Sequence, residues 1–376
     1  MSTTREAKRG LLGRRSYLKI AGAAILGTMM TATAAASDHE TVTVPEDERR
    51  VVEVGDSETL ENVTYDVTAS GAGVTIIATG TDWTIRNVAV DGQVDMGNRT
   101  VLGVADTGGG TSRIENVWLG DGSVYEENGA TGLWVDPAHD GHLEIERVNI
   151  QEMSDNGFYC SAPGTDWGAG GTVVIRDCYA ANCWISQFRL AEGSVENCTA
   201  SVTDDRQYRR GRGVWAWSPG PVEVRDCNFD MNGHHYSFVA GANEEGSRID
   251  VFSTEWDDQF HDGWRTIDDG TVNFECGNGN DPQNVVPDGC PTSAAEAVGA
   301  EEDDPGDDGS EDDGSEEDDE SGTDEPEDGG SSVDDYRDDE TGDVEIDGFQ
   351  DALSDWENGT ISTSLLIDVF NAWFGS

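Results

Sequence analysis

The chain has 376 residues and a formal net charge of −55, from 77 acids against 22 Lys and Arg. That balance excludes nucleic acid as a partner, because phosphate contacts need a basic face. Eleven Trp and many short apolar runs exclude a chain that is disordered throughout.

The first 36 residues read as an address. Arg14-Arg15-Ser16-Tyr17-Leu18-Lys19 precedes an apolar run from Ile20 to Met30, which ends in the small residues Ala32-Thr33-Ala34-Ala35-Ala36. The pattern resembles a twin-arginine signal, which exports already folded protein. The run is too short for a permanent membrane span, and no later segment is a candidate for one. The expected location is extracellular or at the cell surface, with cleavage near Ala36. No Lys occurs after Lys19. A dense carboxylate surface of this kind resembles that of proteins from extreme halophiles, where salt screens the repulsion.

From residue 37 a short phrase keeps returning. It reads Ile85-Arg86-Asn87-Val88, Ile114-Glu115-Asn116-Val117, Ile145-Glu146-Arg147-Val148, Ile175-Arg176-Asp177-Cys178, Val195-Glu196-Asn197-Cys198 and Val224-Arg225-Asp226-Cys227, with a fainter copy near Ile249. Each phrase alternates apolar and polar residues, the signature of a strand with one buried face. Between the phrases lies a second strand, often opened by Gly, as in Gly132-Leu133-Trp134-Val135, Gly157-Phe158-Tyr159-Cys160 and Gly213-Val214-Trp215-Ala216-Trp217. Recurring strands separated by irregular polar insertions imply stacked coils, since one coil cannot bury its apolar side alone. An antiparallel β-sandwich also has many short strands, but it does not predict a phrase repeated at one-coil spacing. Cys178, Cys198 and Cys227 hold the same place in three phrases. Stacked strands lie about 4.8 Å apart, wider than a disulfide allows, so these three form a buried thiol column. Cys276 and Cys290 bracket a Gly/Asn/Pro-rich loop and are the expected disulfide.

The repeats from about Val51 to Cys290, with Asn or Asp before Val or Cys, resemble the right-handed parallel β-helix proteins of the pectate-lyase-like superfamily. Members include secreted polysaccharide lyases, hydrolases, epimerases and non-catalytic adhesins, so the resemblance carries fold and leaves activity open. The expected organisation is a signal peptide (1–36), an all-β right-handed parallel β-helix (37–292), an acidic disordered linker (293–345) and a two-helix C-terminal module (346–376). Residues 301–345 hold 25 acids against one Arg, a composition that cannot bury a core. Beyond it, Phe349, Leu353, Trp356, Leu366, Val369, Phe370 and Trp373 recur at helical spacing. This pair of helices resembles a dockerin-like docking module that lacks the Asp/Asn-rich calcium loops, and a protein partner is expected for it.

Chemistry is expected in the insertion Asp204-Asp205-Arg206-Gln207-Tyr208-Arg209-Arg210-Gly211-Arg212. Four Arg within seven residues make an anion site in a chain that otherwise repels anions. The resemblance implies a lyase in which an Arg removes the proton α to a uronate carboxyl. The candidate catalytic residues are then Arg206, Tyr208, Arg209 and Arg210. Asp204 and Asp205 are candidate ligands for Ca²⁺. Arg212, Trp215, Trp217, His234, His235 and Tyr236 are candidate substrate-binding residues. The bland alternatives are Arg side chains paired with surface acids, a core role for the Trp face, and a turn at His234-His235. The expected function is binding, with lyase-type cleavage as its stronger form, of an acidic polysaccharide. The alternative is a non-catalytic glycan-binding or structural β-helix held at the surface by its C-terminal helices.

Overall fold

The computed structural model describes residues 39–97, 99–125, 129–203 and 211–299. The signal peptide, residues 300–345 of the acidic linker and the C-terminal module lie outside the described residues. Among those described, no helix is long and apolar enough to cross a membrane.

The described chain is a parallel β-solenoid. Strands alternate between two sheets, and each pairs in parallel with the equivalent strand of the next coil. Sheet A runs from Glu40–Thr43 to Thr271–Phe274. Sheet B holds nine strands, from Arg49–Val54 to Trp264–Thr266. Early coils carry one long strand on sheet A, such as His142–Gln151. Later coils break it in two, as Thr172–Arg176 and Tyr179–Ala181, which gives each later coil a third short face.

The repeated phrase sets this geometry. Ile85, Ile114, Ile145, Ile175, Val195 and Val224 stack in register and are fully buried. Full burial of such a side chain stabilises by about 1.5–3 kcal/mol. The fainter copy is displaced from its expected place, because Val224 pairs with Val251 and not with Ile249. An earlier copy, Leu60-Glu61-Asn62-Val63, pairs with Ile85 to Val88. The third residue of the phrase is a corner and not a simple strand position. Asn62, Asn87, Asn116, Arg147, Asp177, Asn197, Asp226 and Ser253 all have φ between 47° and 55°. Asn and Asp tolerate this left-handed conformation better than most side chains. Their side chains also bond from coil to coil: Asn87 Nδ2 donates to Asn62 Oδ1 at 2.8 Å, Asn116 Nδ2 to Asn87 Oδ1 at 3.0 Å, and Arg147 Nε to Asn116 Oδ1 at 2.7 Å.

The corner disturbs the backbone ladder where the long strand is broken, and the thiol column repairs it. The backbone N–H groups of Val148, Cys178 and Cys198 each donate to the sulfur one coil on, Cys178, Cys198 and Cys227, at 3.4 Å. Cys227 N–H donates in turn to Thr254 Oγ1 at 3.3 Å. All three thiols are free and buried, and burial raises their pKa values.

The expected Cys276–Cys290 disulfide is not formed, and both residues are free. Cys276 is exposed just beyond the last strand of sheet A. Cys290 is buried against Tyr179 and Ala181, several coils away. The cause is the path of residues 281–299, which turn back and run down the outside of sheet A. Gln283 N–H donates to Asn228 Oδ1, Val285 O accepts from Thr199 Oγ1, Asn284 Oδ1 from Tyr179 OH, and Pro291 O from Asn149 Nδ2. The strap ends in a one-turn helix, Ala294–Val298, capped by Ser293 and packed on Ala89 and Trp118. Residues 293–299, expected in the linker, are therefore part of the solenoid. The strap packs on the outer face of sheet A.

Candidate anion-binding face on sheet B

Arginine distribution separates the two sheets. On sheet A, Arg86, Arg113, Arg147, Arg176, Arg225 and Arg248 all pair with carboxylates, respectively those of Glu61, Glu144, Glu115, Glu196, Glu223 and Asp250. On sheet B, or at the start of its strands, lie Arg49, Arg50, Arg99, Arg189, Arg212 and Arg265. Among the described residues, no carboxylate lies within ion-pair distance of Arg49, Arg50, Arg99, Arg189 or Arg265. In a chain with 77 acids, cations without a carboxylate partner among the described residues need a physical reason.

Arg189 is the clearest case. It sits in the strand Ser186–Leu190, where Phe188 and Leu190 point into the core and Arg189 points outward, yet its residue is only 6% exposed. Aromatic rings cover it. The guanidinium carbon lies 3.7 Å from the ring centre of Tyr159, 3.9 Å from that of Trp217 and 4.8 Å from that of Trp215. Nε donates to Ser161 Oγ and Nη2 to Tyr159 OH, each at 2.9 Å. Nη1 makes no hydrogen bond among the described residues and is not one of the sealed polar atoms. Burial pushes the Arg189 pKa down to about 10, so it keeps its charge at neutral pH. Ring faces compensate the lost hydration in part, since a desolvated cation–π contact contributes about 2 kcal/mol. Asp155 acts on Arg189 only at longer range, and burial raises the pKa of its own carboxyl.

The register explains why these groups meet. Tyr159, Arg189 and Trp215 occupy equivalent outward positions of three consecutive coils, and Trp217 lies two residues beyond Trp215. Val214 and Ala216 take the inward positions and form the core face of this strand, while the two half-buried Trp lie on its outward face. Their rings meet edge to face at 5.3 Å. Trp215 Nε1 donates to Gly241 O at 2.9 Å, which leans the ring toward the next coil. Arg212 stacks on the same ring at 4.3 Å and donates from Nη1 to Ile185 O. Beside the platform, the loop Ala162–Gly171 presents Trp167, 66% exposed.

Of the residues expected at the site, Arg212, Trp215 and Trp217 converge on this platform. His234, His235 and Tyr236 do not. His235 and Tyr236 pack on Phe260, at 5.3 and 4.8 Å between ring centres, where the chain enters the strand Phe238–Ala240. His234 is exposed in a turn closed by its N–H and Met231 O. Nearby, Asp257 accepts from the backbone N–H groups of Gly233 and Gln259, which is a turn role. Asp204, Asp205, Arg206, Tyr208, Arg209 and Arg210 lie outside the described residues. The sequence reading missed Arg189, Tyr159 and Ser161. Their signal was present in the second repeated strand, whose alignment puts Tyr159, Arg189 and Trp215 in one column.

No family model matches this chain, and no curated protein or solved structure is found to match it.

Proposed function

We propose that this chain is an exported parallel β-helix protein of pectate-lyase-like type that binds an acidic polysaccharide on the outer face of sheet B. The observation that carries the reading is Arg189: a charged guanidinium, almost wholly covered by three aromatic rings, with no carboxylate partner among the described residues and an Nη1 still able to donate. Aromatic rings with one open face suit sugar rings, and guanidinium groups suit uronate carboxylates or sulfates. A mixed platform of both fits a polymer that carries both. Arg212, on the ring of Trp215, supplies a second cation at the same place.

Cleavage would be the stronger form of this function. The segment between Thr203 and Gly211 leads directly into the strand that carries Arg212 and Trp215, and it contains Arg206, Arg209 and Arg210. In a β-elimination, one of these would take the proton α to the uronate carboxyl. The electron pair left behind forms the carbon–carbon double bond and expels the glycosidic oxygen. Asp204 and Asp205 would hold Ca²⁺ against the carboxylate. Arg189 itself is a positioning group, since it stays charged and its Nε and Nη2 are engaged.

The test is calorimetric titration of the purified protein with polygalacturonate and alginate in molar salt, read in parallel with ultraviolet absorbance. Binding by the wild type that Arg189→Met abolishes supports the reading. A rise in absorbance that Arg206→Ala, Arg209→Ala or Arg210→Ala removes establishes the lyase. If no acidic polymer in a broad panel binds, the proposal fails.

A further inference from the structure

The same outward position of sheet B can be followed beyond the platform. Trp134 precedes Tyr159 in register, and Val239 and Arg265 follow Trp215. The column Trp134, Tyr159, Arg189, Trp215, Val239, Arg265 therefore runs through six consecutive coils, parallel to the solenoid axis. At about 4.8 Å per coil it is roughly 24 Å long. Its members are ring, ring, cation, ring, the buried Val239 and cation, and the Trp215 ring reaches toward the Val239 coil through its Nε1–H to Gly241 O. Arg265 is exposed and has no carboxylate within ion-pair distance among the described residues. The sides of the column are occupied. The loop Ala162–Gly171 lies against Ala191 on one side, where Gly164 lets it approach the Ala191 methyl closely. The His235–Tyr236–Phe260 cluster stands at the opposite strand ends.

On the reading that sheet B binds an acidic polysaccharide, we infer that its ligand is a linear polyuronate chain laid along the solenoid axis, about one sugar per coil, from Trp134 to Arg265. A chain laid across the coils would meet one or two members of the column and then the flanking elements. A chain laid along it meets three rings and two cations, with Arg265 holding a carboxylate three coils beyond Arg189. The site then recognises length. A trisaccharide fills half of the column, and a hexasaccharide fills it.

The experiment compares oligogalacturonates of three and six residues by calorimetry in 1 M NaCl, where the screening length is about 3 Å and only contact pairs survive. The hexamer is expected to bind at least tenfold more tightly than the trimer. Arg265→Ala should remove most of that gain, and Arg265→Lys, which keeps the charge, should retain part of it. Arg248→Ala, the same loss of charge on sheet A, should leave hexamer affinity unchanged, and a 12-residue single-stranded DNA should not compete. Equal affinity for trimer and hexamer would overturn the axial track while leaving binding itself intact. So would equal losses from Arg265→Ala and Arg248→Ala, or competition by the DNA. Absence of binding at either length would overturn the track together with the function it rests on.

Discussion

The guanidinium of Arg189 lies 3.7 Å from the ring centre of Tyr159, its register neighbour one coil earlier, and donates to that tyrosine's hydroxyl. One contact thus joins a stacking interaction to a hydrogen bond, and it depends on the planar fork of arginine. Lys cannot reproduce both. Arg189→Lys is therefore expected to weaken binding of an acidic polymer at least tenfold. Arg189→Met keeps the apolar bulk between the rings but leaves Ser161 Oγ and Tyr159 OH without their donor, at about 1 kcal/mol each. It should still fold, with a lowered melting temperature, while losing binding. Calorimetric titration together with a thermal melt separates the two effects.

Corner residues make a second test. Asn116 has φ of 51° and bonds both to Asn87 in the preceding coil and to Arg147 in the following one. A non-glycine residue without a local hydrogen bond costs about 1–2 kcal/mol in this conformation. Asn116→Ala is expected to destabilise by roughly that amount plus the lost ladder bonds, at about 1 kcal/mol each. Asn116→Gly removes the backbone strain and should cost less than Asn116→Ala. Reversible denaturation in urea orders the pair, and an equal loss from both would assign the corner's preference to the side-chain ladder alone.

Thiol chemistry follows from burial. Six of the seven cysteines are buried and only Cys276 is exposed. Burial pushes the thiol of Cys160 well above its ordinary value and that of Cys290 up to about 12. A thiol reagent applied to the native protein should modify Cys276 alone, and all seven should react once the chain is unfolded. Peptide mass mapping identifies the modified residue. A protected Cys276 in non-reduced protein would restore the disulfide expected from sequence.

The thiol column was legible because Cys178, Cys198 and Cys227 share a place in a repeated phrase, and repetition converts sequence position into position along a stack. The same logic gave the inward Ile and Val ladders and therefore the solenoid. It failed at three points, each for a physical reason. Asn87 and Asn116 look like polar strand residues because composition does not distinguish an outward strand position from a left-handed corner. Val251 was displaced by two residues because Ile249 also points inward, so alternation alone allows either anchor. The strap from Asp281 to Gly299 has no period of its own. Its path is set by single bonds to Asn228, Thr199, Tyr179 and Asn149, which lie on four different coils. Arg189 was hidden differently, since a lone Arg in Gln187-Phe188-Arg189-Leu190 is unremarkable until register places it between Tyr159 and Trp215.

Stability should depend on pH through His139. The ring is fully buried, Nδ1 accepts from the backbone N–H of Asp106 at 3.0 Å, and Nε2 lies 3.1 Å from Thr172 O, which only an N–H at that atom can satisfy. The neutral tautomer therefore fills both sites, and a second proton on Nδ1 would face a donor. Burial is the main cause that lowers the folded-state pKa below its ordinary value of 6.5. The lowered pKa means the unfolded state binds the proton more readily. The contribution of His139 is thus complete above about pH 6.5 and is lost as pH falls below it toward the folded-state value. Carboxylates with depressed pKa values, such as Asp106, keep their contribution through that window and lose it only in stronger acid. The His139 part of the stability should therefore decline as pH falls from 7 to 5. Asp91, Asp155 and Asp230, whose carboxyl pKa values burial raises, act in the opposite direction as acid is added. His139→Asn is less stable at pH 7 because the cavity is underfilled, and the gap in melting temperature between it and wild type should narrow over the same interval. Parallel slopes for the two proteins would place the pH dependence elsewhere.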